Sequence, residues 1–254
     1  MQRDYLDRGS PGLARFAKMR RITGERIAEA NAKTPGLYVE ARACAAALPG
    51  IRSRLADALG RFAEIYPQAS MRPVTITIGR GKPVGVADAE GVMIGLEALC
   101  AAHSLNPDIA DRFVYVIAHE YVHVEQSVIG LPEDGMTVLH AALAEGGAEF
   151  IGELISGSVA YRHLIAATRG REAEMEAAFR VDIDKPAEGS RWLYNGLGTA
   201  DWPGDLGYWV GYRIAKAYYR NAADKRAAIR DIIAMEDPHA LLAASGWKPG
   251  IVLD

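Results

Sequence analysis

The sequence predicts an α+β fold, predominantly helical, with a small sheet of two or more short strands beside a buried helix that carries the candidate site. Three observations support this. Apolar residues recur at helical spacing through most of the chain, β-branched alternation is confined to a short stretch after Pro73, and no internal repeat or low-complexity tract breaks the pattern. The 254 residues are read as one domain, 1–254. Residues 1–70 form an N-terminal helical layer, and 71–254 carry the strands and the remaining helices.

Ser10 followed by Pro11 reads as an N-cap with proline in the first turn. Leu13, Phe16, Met19, Ile22 and Ile27 then continue one helical stripe to the break at Thr34-Pro35-Gly36, with an interruption expected near Gly24. An alanine-rich helix is expected to end at Pro49-Gly50, and a third to carry Ile51, Leu55, Leu59, Phe62 and Ile65 up to Pro67. VTITIG and GVMIG read as two strands, with GRGKPVGVADAE between them as a flexible loop. After Asn106-Pro107 the segment DIADRFVYVIAHEYVHVEQSVIG has helical length and an acidic front end. A loop at Leu131 to Gly135 leads to a helix over TVLHAALAEGGAEFIGELISG. Further helices are expected at 158–168, 171–179, 205–220 and 224–234, with a tryptophan-containing Gly/Pro loop, DIDKPAEGSRWLYNGLGTADWPGD, among them.

A net charge of −3 and short basic runs give no electrostatic footprint for nucleic acid; Arg20-Arg21 and Arg80 with Lys82 read as solvated surface. No apolar run is long enough to cross a bilayer, so no transmembrane segment is expected. Cys44 and Cys100 lack C-x-x-C spacing and read as buried free thiols, with a single disulfide left open.

The chemistry lies in HEYVH. His119 and His123 are four residues apart on a helix, so their imidazoles leave the same face on successive turns and reach one tetrahedral ion. Glu120 lies next to that face, where a carboxylate acts on a water without binding the metal itself. A third ligand is needed. Gln126 and Ile129 stand where a glycine and a third histidine would extend the motif, so the ligand must come from elsewhere. LAEGGAEFIGE supplies Glu145, Glu149 and Glu153 on one stripe of an otherwise apolar helix, where buried acids need a cation or hydrogen bonds. Glu145 is the expected ligand, and Glu149 the acceptor for a histidine N–H. Gly146 and Gly147 are expected where two helices approach closely. His103, His163 and His239 carry no spacing signal and read as surface or structural.

These residues resemble the gluzincin group of zinc peptidases: H-E-x-x-H followed by a helix with E-G-x-A, here Glu145 to Ala148. More closely, GVMIGLE at 91–97, HEYVHVEQ, LAEGGAEFIGELISG and GYWVGYRIAKAYY at 207–219 are similar to an uncharacterised bacterial family of predicted zinc-dependent proteases. The resemblance implies a zincin-like metallopeptidase domain with one Zn²⁺ per chain held by His119, His123 and Glu145, and Glu120 as general base toward an activated water. It implies a peptide or protein substrate, with GVMIGLE pairing with it as a strand, and an exported or periplasmic setting. Glu149 departs from the aspartate common in the thermolysin-like pattern.

Peptide hydrolysis also needs a donor for the developing oxyanion. Tyr208 and Tyr212 share a helical face, beside Gly207 and Gly211, and are the expected candidates; Arg213 is weaker. The segment around Trp192, Trp202 and Trp209 reads equally as a wall of a hydrophobic pocket or as packing under a long loop, and 185–204 as a candidate lid. The alternative function is a catalytically inactive zinc-binding protein of the same fold with a binding or regulatory role. Retention of Glu120, which a pure binding site does not require, favours the enzyme.

Overall fold

The computed structural model describes residues 1–126, 135–196, 198–199 and 201–253. Helix α1 (Pro11–Arg20) opens as expected, with Ser10 Oγ accepting from Leu13 N–H. It ends at Arg21, which turns the chain with a left-handed φ of 51°. Thr23 then caps α2 (Gly24–Lys33), so the interruption foreseen at Gly24 is a full break. Helix α3 (Pro35–Cys44) passes through a 3-10 turn into α4 (Leu48–Ile65). Pro49 therefore opens a helix rather than closing one, as suits a residue whose missing N–H is no loss in a first turn.

Three strands follow: β1 (Val74–Thr77), β2 (Gly85–Asp88) and β3 (Gly91–Gly95), in the order β1-β3-β2. β3 runs parallel to β1 and antiparallel to β2. Residues 85–88 were expected in a loop. They form the sheet edge because Asp88 pairs with Gly91 across a two-residue hairpin, with Asp88 Oδ1 accepting from Glu90 N–H. Gly91 has a φ of 137°, and a β-carbon there would sit 2.3 Å from the Pro73 carbonyl, so only glycine fits the turn. β3 stops at Gly95, and Leu96 and Glu97 begin α5 (Leu96–Ala101).

The sheet is covered on both faces. Val86 and Met93 pack with Leu13, Phe16 and Ile27 of the N-terminal layer. Val92 and Ile94 join the main core with Phe113, Ile117 and Tyr121 of α6 (Ile109–His123). A Cys44–Cys100 disulfide ties α3 to α5, so the expectation of free thiols is not met. Helical periodicity placed both cysteines inside, and only the three-dimensional packing of their two helices brings them together.

Helix α7 (Val138–Ser156) packs against α6 and α10 (Leu206–Asn221). Gly146 meets the backbone of Gly211 and Tyr212, and a β-carbon on Gly211 would lie 1.7 Å from the Ala142 carbonyl. Gly147 faces Ile232 of α11 (Lys225–Ala234). The glycine that brings α7 against the histidine helix is instead Gly152, whose β-carbon would come within 3.4 Å of His119 N.

Helices α8 (Arg162–Thr168) and α9 (Glu172–Asp182) lead into the long loop, and α12 (Pro238–Ser245), capped by Asp237, was not foreseen. Buried Glu176 of α9 accepts from Arg213 Nε at 2.5 Å, Trp247 Nε1 at 3.1 Å and Gly250 N–H at 2.6 Å. Arg213 thus secures the C-terminal segment and takes no part in the cleft. Trp192 donates to Asp182 and packs edge-on against Phe179 and Trp202.

Candidate metal centre

Helix α6 begins at Asp108, whose side chain accepts from Asp111 N–H, and ends with His123 in its last turn. Its N-terminal half is anchored by Arg112, buried and donating to the carbonyls of Asn106, Leu99, Cys100 and Pro107. That fixes the rotation of the helix. His119 and His123 consequently face α7, and Glu145 projects from α7 toward both.

The three side chains converge. Glu145 Oε2 lies 3.1 Å from His123 Nε2 and 3.3 Å from His119 Nε2, and the two ring nitrogens are 3.1 Å apart. The side chains of His119, His123 and Glu145 are only 4, 14 and 12% exposed.

The opposite ring nitrogens lie near an oxygen each. His119 Nδ1 is 2.8 Å from Glu149 Oε1, and Glu149 Oε2 accepts from Tyr161 N–H at 3.3 Å. His123 Nδ1 is 2.7 Å from Gln126 Oε1, while Gln126 Nε2 donates to the Ala144 carbonyl at 2.8 Å. The Gln126 oxygen can only accept, so in a neutral His123 the Nδ1 carries the proton; Glu149 Oε1 is close to His119 Nδ1 without the geometry of a hydrogen bond. His119 Nε2, His123 Nε2 and one Glu145 oxygen thus crowd one point, a group that could hold a metal ion.

The donor set fits zinc. Tetrahedral bonds of about 2.0–2.1 Å place neighbouring donor atoms roughly 3.3 Å apart, close to the observed triangle. Two imidazoles and one carboxylate are also the ligands of open zinc sites, which leave the remaining position to water or substrate.

Without an ion, the neighbouring carboxylates favour protonated rings. Burial pulls His119 down, but the Glu149 and Glu145 carboxylates more than offset it and push it up to about 10. His123 is likewise raised, burial being outweighed by Glu145. Glu145 is held well below the usual carboxylate range: burial opposes this, and the two histidines prevail. Glu120 is raised by burial against the pull of the same histidines.

The centre sits in a cleft of about 650 Å³. One side is Pro83 to Ala87, including the edge strand β2; Val116, Ala102, Leu105 and Ala160 form an apolar flank, and Tyr161, Tyr194 and Tyr208 an aromatic one. β3, expected to pair with substrate, is instead the central strand with both edges taken. Tyr208 lines the cleft, its ring 6.0 Å from that of His119 and 4.4 Å from that of Tyr161, and burial first of all lifts its hydroxyl well above the ordinary tyrosine range. Tyr212 does not line the cleft. Its hydroxyl donates to Glu153 at 2.9 Å and receives Lys216 Nζ at 2.7 Å, because α10 turns it past α7 toward the outer stripe.

Other placements differ from expectation. His163, read as surface or structural, and Arg20, read as solvated, both line the cleft, while Trp192 and Trp202 of the loop and Trp209 of α10 do not. The loop contributes Tyr194 and Gly196 instead. Tyr194 and Gln126 had no motif or spacing that could single them out; a polar side chain three residues past a ligand histidine is the one weak signal for Gln126.

Helices surround a small sheet, and two histidines of one helix and an acid of the next converge in a cleft as a group that could hold a metal ion. The chain belongs to the family described as predicted Zn-dependent protease (DUF2268), whose family model matches residues 79–236. Comparison with curated proteins and with solved structures returns no match.

Proposed function

We propose that the chain is a zinc-dependent peptidase of the gluzincin type, with His119, His123 and Glu145 holding one zinc ion and Glu120 acting as general base. The convergence of two imidazole nitrogens and a carboxylate oxygen on one point carries this reading. Zinc bound there would supply a Lewis acid for a peptide carbonyl and for water.

The protein's own groups do the rest. Glu120 adjoins the histidines, and its raised affinity for protons suits a carboxylate that takes a proton from water and hands it to the leaving amine. Tyr208, held protonated by burial, is placed to donate to a carbonyl oxygen as negative charge develops. Gln126 would hold His123 in one tautomer, and Glu149, close to His119 Nδ1, would orient that ring when the metal is bound. The edge of β2 offers backbone groups to an extended peptide, so Gly85 to Ala87 take the role expected of GVMIGLE. The N-terminal layer and residues 71–254 work as a single domain, joined by the Cys44–Cys100 bridge.

That bridge also supports an oxidising, exported or periplasmic setting. Among the described residues no helix is long and apolar enough to cross a membrane.

The test couples metal quantification with cleavage of a peptide library. One zinc per chain, chelator-sensitive cleavage, and loss of cleavage in Glu120→Gln with zinc retained are expected. Zinc without cleavage in the native sequence points to a binding protein; no zinc refutes the reading.

A further inference from the structure

The carboxylate of Glu145 has its two oxygens divided between different partners. Oε2 faces the histidines, while Oε1 accepts from the Tyr194 hydroxyl at 2.9 Å. Carboxylates bind metals through one oxygen or through both, and the two modes give different coordination numbers and affinities. A hydrogen bond on one oxygen decides between them.

The chain pays for placing Tyr194 there. Its φ of 57° is left-handed, which is uncommon for an aromatic residue. Two devices hold it. Asn195 N–H donates to Asp205 Oδ1 at 3.0 Å, and Asp205 N–H returns a bond to Asn195 Oδ1 at 2.7 Å, closing the loop just beyond the tyrosine. On the near side, buried Trp192 accepts from Gly207 N–H through its carbonyl at 2.7 Å. The tyrosine ring then stands edge-on to Tyr208, with centroids 6.4 Å apart.

We infer that Tyr194 is a positioning residue: it holds Glu145 so that a single oxygen, Oε2, is given to the metal, and so sets both the affinity and the open coordination position of the site. The inference rests on the zinc reading above. It adds to that reading that the long loop, through the Asn195–Asp205 clasp, belongs to the metal site.

The test uses Tyr194→Phe and Asn195→Ala in the full chain, with zinc affinity measured by chelator competition and the visible spectrum recorded after cobalt substitution. Tyr194→Phe is expected to weaken zinc binding on the order of 10- to 100-fold, the range for groups that orient a ligand. Its cobalt bands should also lose intensity, as a second carboxylate oxygen raises the coordination number. Asn195→Ala should move both readouts the same way by less, and the melting temperature of the metal-free protein should change little in Tyr194→Phe. A native protein that binds one zinc, with a Tyr194→Phe variant identical in affinity and cobalt spectrum, overturns the inference and leaves the zinc reading intact. A native protein that binds neither metal overturns both.

Discussion

Gly85 of the edge strand lies directly against the carboxylate of Glu120: a β-carbon at position 85 would sit 2.7 Å from Oε1 and 2.9 Å from the carboxyl carbon. Strand and Glu120 are thus fitted to each other, and the absence of a side chain at position 85 gives the carboxylate its place. Gly85→Ala is expected to displace the Glu120 carboxylate while leaving the histidines and Glu145 untouched. Misplacement of a catalytic group by about 1 Å lowers rates on the order of 100-fold. Steady-state cleavage of a library-derived peptide, read beside zinc content, checks this: zinc should stay at the native level as turnover falls. Native turnover in Gly85→Ala would remove Glu120 from the role of base.

Glu149 and Gln126 each lie beside the outer nitrogen of one imidazole, so on the proposed function their removal should weaken metal binding without removing a ligand. Glu149→Ala is expected to lower zinc affinity by about 10- to 100-fold. Glu149→Gln, which keeps an acceptor but not the charge, should fall between it and the native protein. Gln126→Ala should resemble Glu149→Ala more weakly, since it frees a partly exposed ring. Chelator competition on the three variants would give that order, and an unchanged Glu149→Ala would mean that the orientation of His119 is set by something else.

Much of the site was legible because it follows from helical geometry. His119 and His123 four residues apart, and Glu145 with Glu149 one turn on, are periodic relations that survive folding unchanged. The donors and partners that come from loops were not legible. Tyr194 reaches Glu145 through a loop in which two non-glycine residues, Tyr194 and Asp205, are left-handed, and neither is marked in the sequence. The direction of a helical face was half legible: Tyr208 and Tyr212 share a face by spacing, yet α10 crosses α7 so that the first lines the cleft and the second meets Glu153. The edge strand was hidden by Pro83 and Gly85, which read as loop punctuation. Both serve the cleft, and Gly85 must be small because Glu120 occupies the space beside it.

The Cys44–Cys100 bridge spans a sequence separation of 56 and closes the N-terminal layer onto the helix before the histidine helix. Restricting an unfolded loop of that length stabilises the folded state by about 4 kcal/mol on the chain-entropy account. The Cys44→Ala/Cys100→Ala protein is expected to melt lower by a corresponding amount, and the native protein to lose the same stability on reduction. Thermal melts with and without reductant measure this, and zinc stoichiometry in the folded double variant should remain one. Equal melting of the two proteins under oxidising conditions would mean that the cysteines do not pair in solution.

Asp182 fixes the start of the long loop and supplies a pH dependence of defined sign. Lys185 and then Trp192 hold its carboxyl below the ordinary value of 3.8, against the opposing effect of burial. Lys185 Nζ lies 2.6 Å away and Trp192 Nε1 2.9 Å. A carboxyl whose folded value is depressed stabilises the protein above its unfolded value, and that contribution disappears as pH falls through the lower folded value. Asp182→Asn should therefore be less stable than the native protein at neutral pH, by about 1.5–3 kcal/mol for a hydrogen bond to a charged group. The gap should narrow once the pH drops below 3.8. Urea unfolding followed by tryptophan emission, at neutral pH and again in this acid range, gives both values. Because Trp192 in turn accepts Gly207 N–H at the root of the loop that carries Tyr194, Asp182→Asn should also weaken zinc binding modestly. A stability gap that stays constant across the acid range would show that the Asp182 carboxylate is not held by these partners.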